Sequence, residues 1–286
     1  MDPNWRVLKR EEQTIDDGYG RLPFGAFAPS ALQRLLIGVT RRTWLRRGQL
    51  RALMTRLTLA LGPGKLDTRF RGAAFRIGAE KNLIAFGLLM TPEYNAREID
   101  FLLEGVAADG VFVDIGSNIG LYALPIAVGR PGARVLAIDA NPKMVARLRW
   151  NAQASDAANL TVVHAAVSDH EGQGDLMIRK DDDAIVKLSE AAPGPIPVRT
   201  LAALIAQAGL ARIDGLKIDI EGHGDEALAP FLDAAHANLL PRRIVIEIAH
   251  GGVVYPACAK AFARLGYQRV GATRNNFLFE REVRGA

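Results

Sequence analysis

The run Val111-Phe-Val-Asp-Ile-Gly-Ser-Asn-Ile-Gly-Leu-Tyr122, followed by Val135-Leu-Ala-Ile-Asp139, narrows most sharply what this chain can fold into. It reads as a buried strand, a glycine turn, a helix and a second buried strand that ends on an acid, the first half of a nucleotide-binding α/β unit. Gly116 and Gly120 leave space where a ligand must approach the backbone. Asp139 offers its carboxylate to the two hydroxyls of a ribose. The ligand these residues imply contains a nucleoside.

Spacing selects among such ligands. A dinucleotide fingerprint needs three glycines, Gly-x-Gly-x-x-Gly, so that a pyrophosphate can sit on the helix N-terminus. Here the turn is Gly116-Ser117-Asn118-Ile119-Gly120, and a strand-end acid, Asp114, precedes it. A carboxylate at that place repels a pyrophosphate but suits the ammonium of an amino-acid moiety, directly or through water. S-adenosylmethionine fits this charge pattern better than NAD. The bland alternative is that Asp114 only caps the turn.

Composition restricts the setting. With 286 residues, 49% of them apolar, the chain can bury one substantial core and a smaller accessory region. Cys258 is the only cysteine, which rules out an intrachain disulfide and a Cys-x-x-Cys pair. No signal-peptide pattern opens the sequence and no apolar run reaches about 18 residues, so a cytoplasmic protein is expected. The net charge of +5 is uneven: residues 31–76 hold eleven Lys and Arg against one acid, Asp67, and therefore carry +10, leaving −5 elsewhere.

Three regions are expected. Residues 1–30, with Pro3, Pro23, Pro29 and several glycines, read as an irregular lead without assigned function. Residues 31–93 read as a basic cap. In it Leu32, Leu35, Leu36 and Val39, then Leu45, Leu50, Leu53, Met54, Leu57 and Leu61, recur at helical steps and end at Gly62-Pro63-Gly64. The stretch from Thr68 to Met90 suggests a hairpin. Residues 94–286 form the cofactor-binding domain, with a helix over about 94–106, strands at 111–115, 134–139, 160–167, 215–220 and 243–248, and helices at about 119–128, 142–154, 201–208, 225–238 and 256–265. Residues 174–199 look like a polar insertion with edge strands at 176–179 and 196–199 around the acidic turn 181–183. Two last strands, 267–270 and 277–280, form a hairpin. Right-handed crossovers make this an α/β fold: a mostly parallel, Rossmann-like sheet of seven strands with a C-terminal antiparallel hairpin strand, the class I methyltransferase arrangement, plus an N-terminal helical extension.

The chain resembles the FkbM family of O-methyltransferases from about Tyr94 to Glu280. The stretches that carry the resemblance are Val113-Asp-Ile-Gly-Ser-Asn-Ile-Gly120, Asp139-Ala-Asn-Pro142, Ala165-Ala-Val-Ser-Asp169, Val198-Arg-Thr-Leu201, Leu216-Lys-Ile-Asp-Ile-Glu-Gly222 and Glu247-Ile-Ala-His250. It departs in three places. Ser117 stands where alanine is common, Asp139 where glutamate is common, and Gly224 where a further acid usually follows Glu221-Gly222. The resemblance implies methyl transfer to hydroxyl groups, often on sugars of surface glycans or on secondary metabolites. It also implies a cofactor set of Asp114, Gly116, Ser117, Asn118 and Gly120 at the methionine end, Asp139 and Ala140 at the ribose, and Ala166, Val167 and Ser168 at the adenine edge. Tyr94, Glu98 and Asp219 complete that set, with Asp219 facing the methyl.

Three residues are candidates for the base that takes the hydroxyl proton: His250, Asp219 and His223. His250 leads because an imidazole titrates near neutral pH and Glu247 stands near it. Lys217 and Glu221 share a strand face with Asp219, so an ion pair beneath the site is the plainer reading of these charges. Asp219, Glu221, Glu247 and His250 also form a possible ligand set for Mg or Mn. The basic cap admits a solvated face, contact with an anionic membrane, or nucleic acid; membrane contact ranks above nucleic acid because Trp44 is the only aromatic in the helices. The expected acceptor is a small molecule or glycan, a lipid-linked sugar among them. An RNA or protein methyltransferase and a cofactor-binding scaffold without turnover are the rivals.

Overall fold

The structure, a computed structural model, describes residues 5–7, 19–78, 82–179, 182–189, 194–220, 222–249 and 252–282. In chain order, a short strand β1 (Trp5–Val7) precedes the cap helices α1 (Ala31–Arg42) and α2 (Gly48–Ala60), the hairpin β2 (Lys65–Phe70) and β3 (Ala73–Gly78), and α3 (Leu83–Met90). Then come α4 (Ala96–Gly105), β4 (Val111–Ile115), α5 (Ala123–Gly129), β5 (Arg134–Asp139), α6 (Pro142–Ala154), β6 (Leu160–His164) and β7 (Ala166–Ser168). The chain continues through β8 (Gly172–Arg179), β9 (Asp182–Ser189), β10 (Ile196–Thr200), α7 (Leu201–Gln207), β11 (Gly215–Ile218), α8 (Gly224–Ala234) and β12 (Arg243–Glu247), and ends with α9 (Pro256–Leu265), β13 (Tyr267–Ala272) and β14 (Asn276–Arg281).

The main sheet has seven strands in the order β13-β14-β12-β11-β4-β5-β6. Strands β12, β11, β4, β5 and β6 run parallel, while β14 is antiparallel to both β12 and β13. The fully buried sequences of β4 and β11 explain their central places, since a strand covered on both faces has no polar side to show. Strand order reverses between β4 and β5 on one side and β11 on the other. The carboxyl ends there form the crevice in which α/β sheets bind ligands.

Several expectations are corrected. The strand expected over 160–167 breaks at Ala165, and β7 leaves the main sheet to pair with β10. With β8, β9 and β1, these strands build a second sheet of five, so the 174–199 segment is a folded layer with its own apolar cluster. Asp181 of its turn lies outside the described residues. Residues 84–89, read as part of a hairpin, form helix α3, which Asn82 caps by accepting from the Ala85 amide at 3.0 Å. Helix α5 begins at Ala123, four residues later than expected, because left-handed Asn118 and Gly120 keep the preceding turn irregular.

Residues 19–30 hold turns and bends but no helix or strand, and the hairpin anchors their first part. Fully buried Arg76 donates to the carbonyls of Tyr19, Leu22 and Pro23 at 2.6, 2.9 and 2.8 Å, and its Nε donates to Asp67 at 2.7 Å. Its guanidinium also stacks on Trp150, 4.0 Å from the ring centroid. Every face of this cation has a partner, which is what permits its burial. One apolar cluster joins Ile37, Phe75 and Leu88 of the cap to Phe112, Leu124 and Leu148 around the sheet.

The cap helices bury only part of the apolar repeat that the sequence shows. Of the recurring set, Leu32, Leu35, Val39, Leu53, Leu57 and Leu61 are exposed, Leu36 and Leu45 pack partly against the core, and Met54 is buried together with Gln33, Ile37, Thr40, Thr55, Thr58 and Leu59. The buried threonines satisfy themselves: the hydroxyls of Thr40, Thr55 and Thr58 donate to carbonyls four residues back at 2.8, 2.9 and 2.7 Å. They thereby become small, neutral surfaces against which helices can pack.

Arg76→Met should lower unfolding free energy by about 3–5 kcal/mol, the usual cost of orphaning one half of a buried ion pair. Urea denaturation measures this, and a loss below about 1 kcal/mol would show that residues 19–23 are held by other contacts.

Candidate active site

A cavity of about 590 Å³ opens at the carboxyl ends of β4, β5, β11 and β12, within the size range of small-molecule sites. Its floor is the glycine turn. Gly116 has φ +76°, and a Cβ there would overlap the carbonyl oxygen of Asp219, so only glycine lets the ends of β4 and β11 meet. The amides of Gly116 and Ser117 both donate to Ile138, at 2.9 and 3.1 Å, and draw the turn over β5.

Asp139 ties the turn to the next loop. One carboxylate oxygen accepts from the Asn118 amide and the other from the Asn141 amide, each at 2.7 Å. Burial pushes its pKa up to about 6, against the pull of those two amides. Asp139 still borders the cavity, as do Gly116, Ser117 and Asn118 of the turn. Beyond them, Ala140, Ala166 and Val167 form the wall expected for an adenine, and Tyr94 stands on the cap side.

Four members of the expected set lie behind the surface. Asp114 is fully buried and absent from the cavity wall; one oxygen accepts from the Ala123 amide at 3.1 Å and caps α5, while the other has no hydrogen-bond partner. Burial raises its pKa to about 7 although buried Lys217 opposes the shift. Gly120 faces Leu124 and Leu148, and its role is close packing. Ser168 is buried in β7 beside the wall. Glu98 is buried too, and accepts from Thr273 Oγ1 at 2.6 Å and Asn276 Nδ2 at 3.3 Å, which fixes the β13–β14 turn at the cavity mouth.

The side of the cavity opposite the wall expected for an adenine is completed by β11 and its loop. Lys217 is buried, and its Nζ donates to Asp219 Oδ2 at 3.1 Å and to the Ile218 carbonyl at 3.0 Å. The expected ion pair is therefore real. It holds a half-exposed carboxylate in one orientation at the cavity edge. His223 borders the same space, and its Nε2 is buried without a hydrogen-bond partner. Glu247 lines the wall near Tyr255, whose hydroxyl lies 3.4 Å from its Oε2 and accepts from the Gly222 amide at 3.1 Å. His250 and Glu221 lie outside the described residues. Among the described residues no group of three or more His, Cys, Asp or Glu is placed to hold a metal.

The sequence reading missed several lining residues. Asn95, in a left-handed conformation at φ +49°, donates to the hydroxyl of Tyr122 at 2.7 Å, and both line the cavity. Asn82 donates to Asn118 Oδ1 at 3.0 Å and so connects the start of α3 to the glycine turn. Arg51 of α2 reaches the wall with its guanidinium 5.3 Å from the Tyr94 ring centroid, and its buried Nε has no hydrogen-bond partner. Arg274, in the β13–β14 turn, lies at the mouth. The excess of arginine in the cap was the one available hint for Arg51.

Strand order, glycine turn and strand-end acids define a class I methyltransferase fold. Residues 114–268 match the family model described as the methyltransferase FkbM domain, more than half of the chain, and the chain belongs to that family. It is 28% identical over 158 residues to the hexuronic acid methyltransferase AglP of Haloferax volcanii, covering 54% of the chain and 62% of AglP. It is 27% identical over 179 residues to the AMB antimetabolite synthetase AmbE of Pseudomonas aeruginosa, covering 49% of the chain but 8% of that protein. The matches thus span less than two thirds of either relative. Among solved structures, a precorrin-6y C5,15-methyltransferase from Geobacter metallireducens aligns with TM-score 0.41 and 17% identity, over 67% of this chain and 88% of its own. Trm5b from Pyrococcus abyssi aligns with TM-score 0.45 and 12% identity, over 76% and 56%.

The pH dependence of stability follows chiefly from Asp114, with Asp139, raised to about 6, acting in the same direction. For Asp114 the unfolded pKa is near the ordinary 3.8 and the folded pKa is about 7, so between those values the folded state holds the extra proton. Stability therefore falls as pH rises through that window. The melting temperature of the unliganded protein should drop from pH 5 to pH 8, and Asp114→Asn should flatten the drop. An unchanged slope in the variant would mean that the carboxyl is already ionised in the folded protein.

Proposed function

We propose that this methyltransferase moves the methyl group of S-adenosylmethionine to a hydroxyl of an acidic saccharide, a surface glycan or lipid-linked sugar presented at an anionic membrane. The observation that carries the reading is the pairing of two half-sites on one cavity. The Gly116–Asn118 turn, Asp139 and the Ala166–Val167 wall suit an adenosyl group, and Asp219 and His223 stand at the reaction side. When bound, S-adenosylmethionine supplies an electrophilic methyl group on a sulfonium.

The remaining work falls to the chain. Displacement is in line, so the acceptor oxygen must be held opposite the sulfur and must lose its proton as it gains the methyl group. Asp219, immobilised by Lys217, accepts a hydrogen bond from a neighbouring hydroxyl of the sugar and so orients the reacting one toward His223. His223 Nε2, unpartnered among the described residues, receives the proton. Arg51 and Arg274 bring positive charge to the acceptor space, which suits a carboxylate on the sugar. The name of the relative AglP supports an acidic acceptor.

Isothermal titration with S-adenosylmethionine, then transfer of labelled methyl to matched hexuronate and hexose oligosaccharides, tests the proposal. Micromolar donor binding and a preference of at least about tenfold for the acidic acceptor are expected, a difference worth about 1.4 kcal/mol. Donor binding without transfer to either acceptor would overturn it. His223→Ala should lower kcat by about 10²–10⁴, the usual share of a general base, with donor affinity unchanged. Undiminished kcat would remove His223 from the mechanism and turn attention to Asp219 and His250.

A further inference from the structure

Among the described residues, eleven large apolar side chains are exposed, and nine of them lie between Leu22 and Leu83. Chance scatter over the surface would not gather them in the cap. On α1 the exposed set is Leu32 (56%), Leu35 (63%) and Val39; on α2 it is Leu53 (50%), Leu57 and Leu61. Counting about 100° per residue, each set forms a stripe about 130° from the buried stripe of the same helix. Both helices thus carry a second apolar stripe that the fold leaves uncovered.

The two stripes belong to one layer. Gln33, near the start of α1, donates to the Thr58 carbonyl, near the end of α2, at 2.9 Å, so the helices run antiparallel. Both pack on α3 through their buried sides, which turns the opposite sides outward together. Between the two helices stands Trp44, 66% exposed, a residue suited to the boundary between apolar chains and water.

Charge identifies what covers this surface. Residues 31–66 contain seven arginines, one lysine and no acid. Arg42, Arg47 and Arg56 are exposed beside the leucines, and Arg34 is exposed on another side of α1. An apolar helical face rimmed by arginines, on helices too short to cross a bilayer, has the signature of an interfacial element on anionic lipid. No helix among the described residues is long and apolar enough to span a membrane.

We infer that the outer face of α1 and α2 docks on an anionic lipid surface, with Leu32, Leu35, Val39, Leu53, Leu57 and Trp44 inserted at the headgroup boundary. The same helix then serves both the membrane and the site. Arg51, two positions before Leu53 and about 200° round α2, lines the cavity while the leucines face lipid. A lipid-borne acceptor would meet the cavity from the docked side. This specifies the surface for the membrane setting proposed above and rests on that reading only for the acceptor.

Flotation of the full chain with vesicles tests it without any methyl transfer. Binding to phosphatidylglycerol–phosphatidylcholine vesicles should exceed binding to pure phosphatidylcholine by at least about tenfold. It should fall as NaCl is raised from about 0.1 to about 1 M, where the screening length shrinks to about 3 Å. The variant Leu32→Ser/Leu35→Ser/Leu57→Ser should lose binding at least about tenfold while keeping its circular dichroism and its affinity for S-adenosylmethionine. Arg42→Gln and Arg47→Gln, which leave the leucines intact, should each lower the partition coefficient about fivefold. Equal binding to both vesicle types, or wild-type flotation by the triple variant, would overturn the inference. So would sedimentation showing a lipid-indifferent dimer that the triple substitution converts to monomer, which would make the face a contact between copies. Loss of methyl transfer with flotation intact would count against the proposed acceptor alone.

Discussion

The close approach of Gly116 to the Asp219 carbonyl is the contact on which the site depends. Strands β4 and β11 are neighbours in register from Phe112–Gly215 to Ile115–Ile218. Beyond Ile115 the two chains must part, one into the glycine turn and the other toward α8. They stay together for one residue more because the Asp219 amide donates to Ile115 at 2.9 Å, and because position 116 has no side chain. That extra residue brings the glycine turn and the Asp219 carboxylate to the edge of one cavity. Any Cβ at position 116 would wedge the strand ends apart, so its cost would fall on both half-sites together.

Around this junction the chain buries charge and compensates it unevenly. Lys217 is satisfied by Asp219 and a carbonyl, and its Nζ lies 5.3 Å from the Tyr122 ring centroid. Asp114 has one amide for two oxygens. Asp139 has an amide for each of its own. Burial raises both, Asp114 to about 7 and Asp139 to about 6; Lys217 and one amide pull Asp114 down while Asp219 and Asp139 push it up, and two amides pull Asp139 down. A half-satisfied buried acid is a cost to the fold. It is tolerated here because its partnered oxygen caps α5, the helix that follows the glycine turn.

What could be read from the sequence was whatever depended on period and spacing. The alternating apolar runs gave the five parallel strands of the main sheet to within two residues at most ends, and the C-terminal hairpin was recognisable from its turn. Spacing also brought the glycine turn and Asp139 together, and the FkbM resemblance added the Ala166–Val167 wall. Direction was not legible. Asp114 carries the right charge at the right strand end, yet its side chain turns back toward α5, and nothing in a one-dimensional pattern separates those two outcomes. Glu98 failed similarly: its partners, Thr273 and Asn276, lie some 175 residues away in sequence. Arg51 and Arg274 were hidden because contributions from a cap helix and a late turn have no fixed spacing from the strand motifs.

The cap shows why apolar periodicity alone misleads about which side of a helix is inside. In α1 and α2 the strongest apolar repeat is the exposed one, and the buried one is interrupted by Gln33, Thr40, Thr55 and Thr58. Those polar residues are neutralised locally, the threonines by carbonyls of their own helix and Gln33 by Thr58 and the Ser30 amide. Once satisfied, they cost little to bury, and their small size allows close packing on α3. Leucine at those buried positions would add apolar area but also bulk that a close-packed interface has no room for. Leucine on the opposite side adds less to the folded monomer, because about half of its surface stays exposed. A half-exposed apolar repeat that persists over both helices, on a segment with seven arginines and no acid of its own, suits a surface that meets something outside the chain.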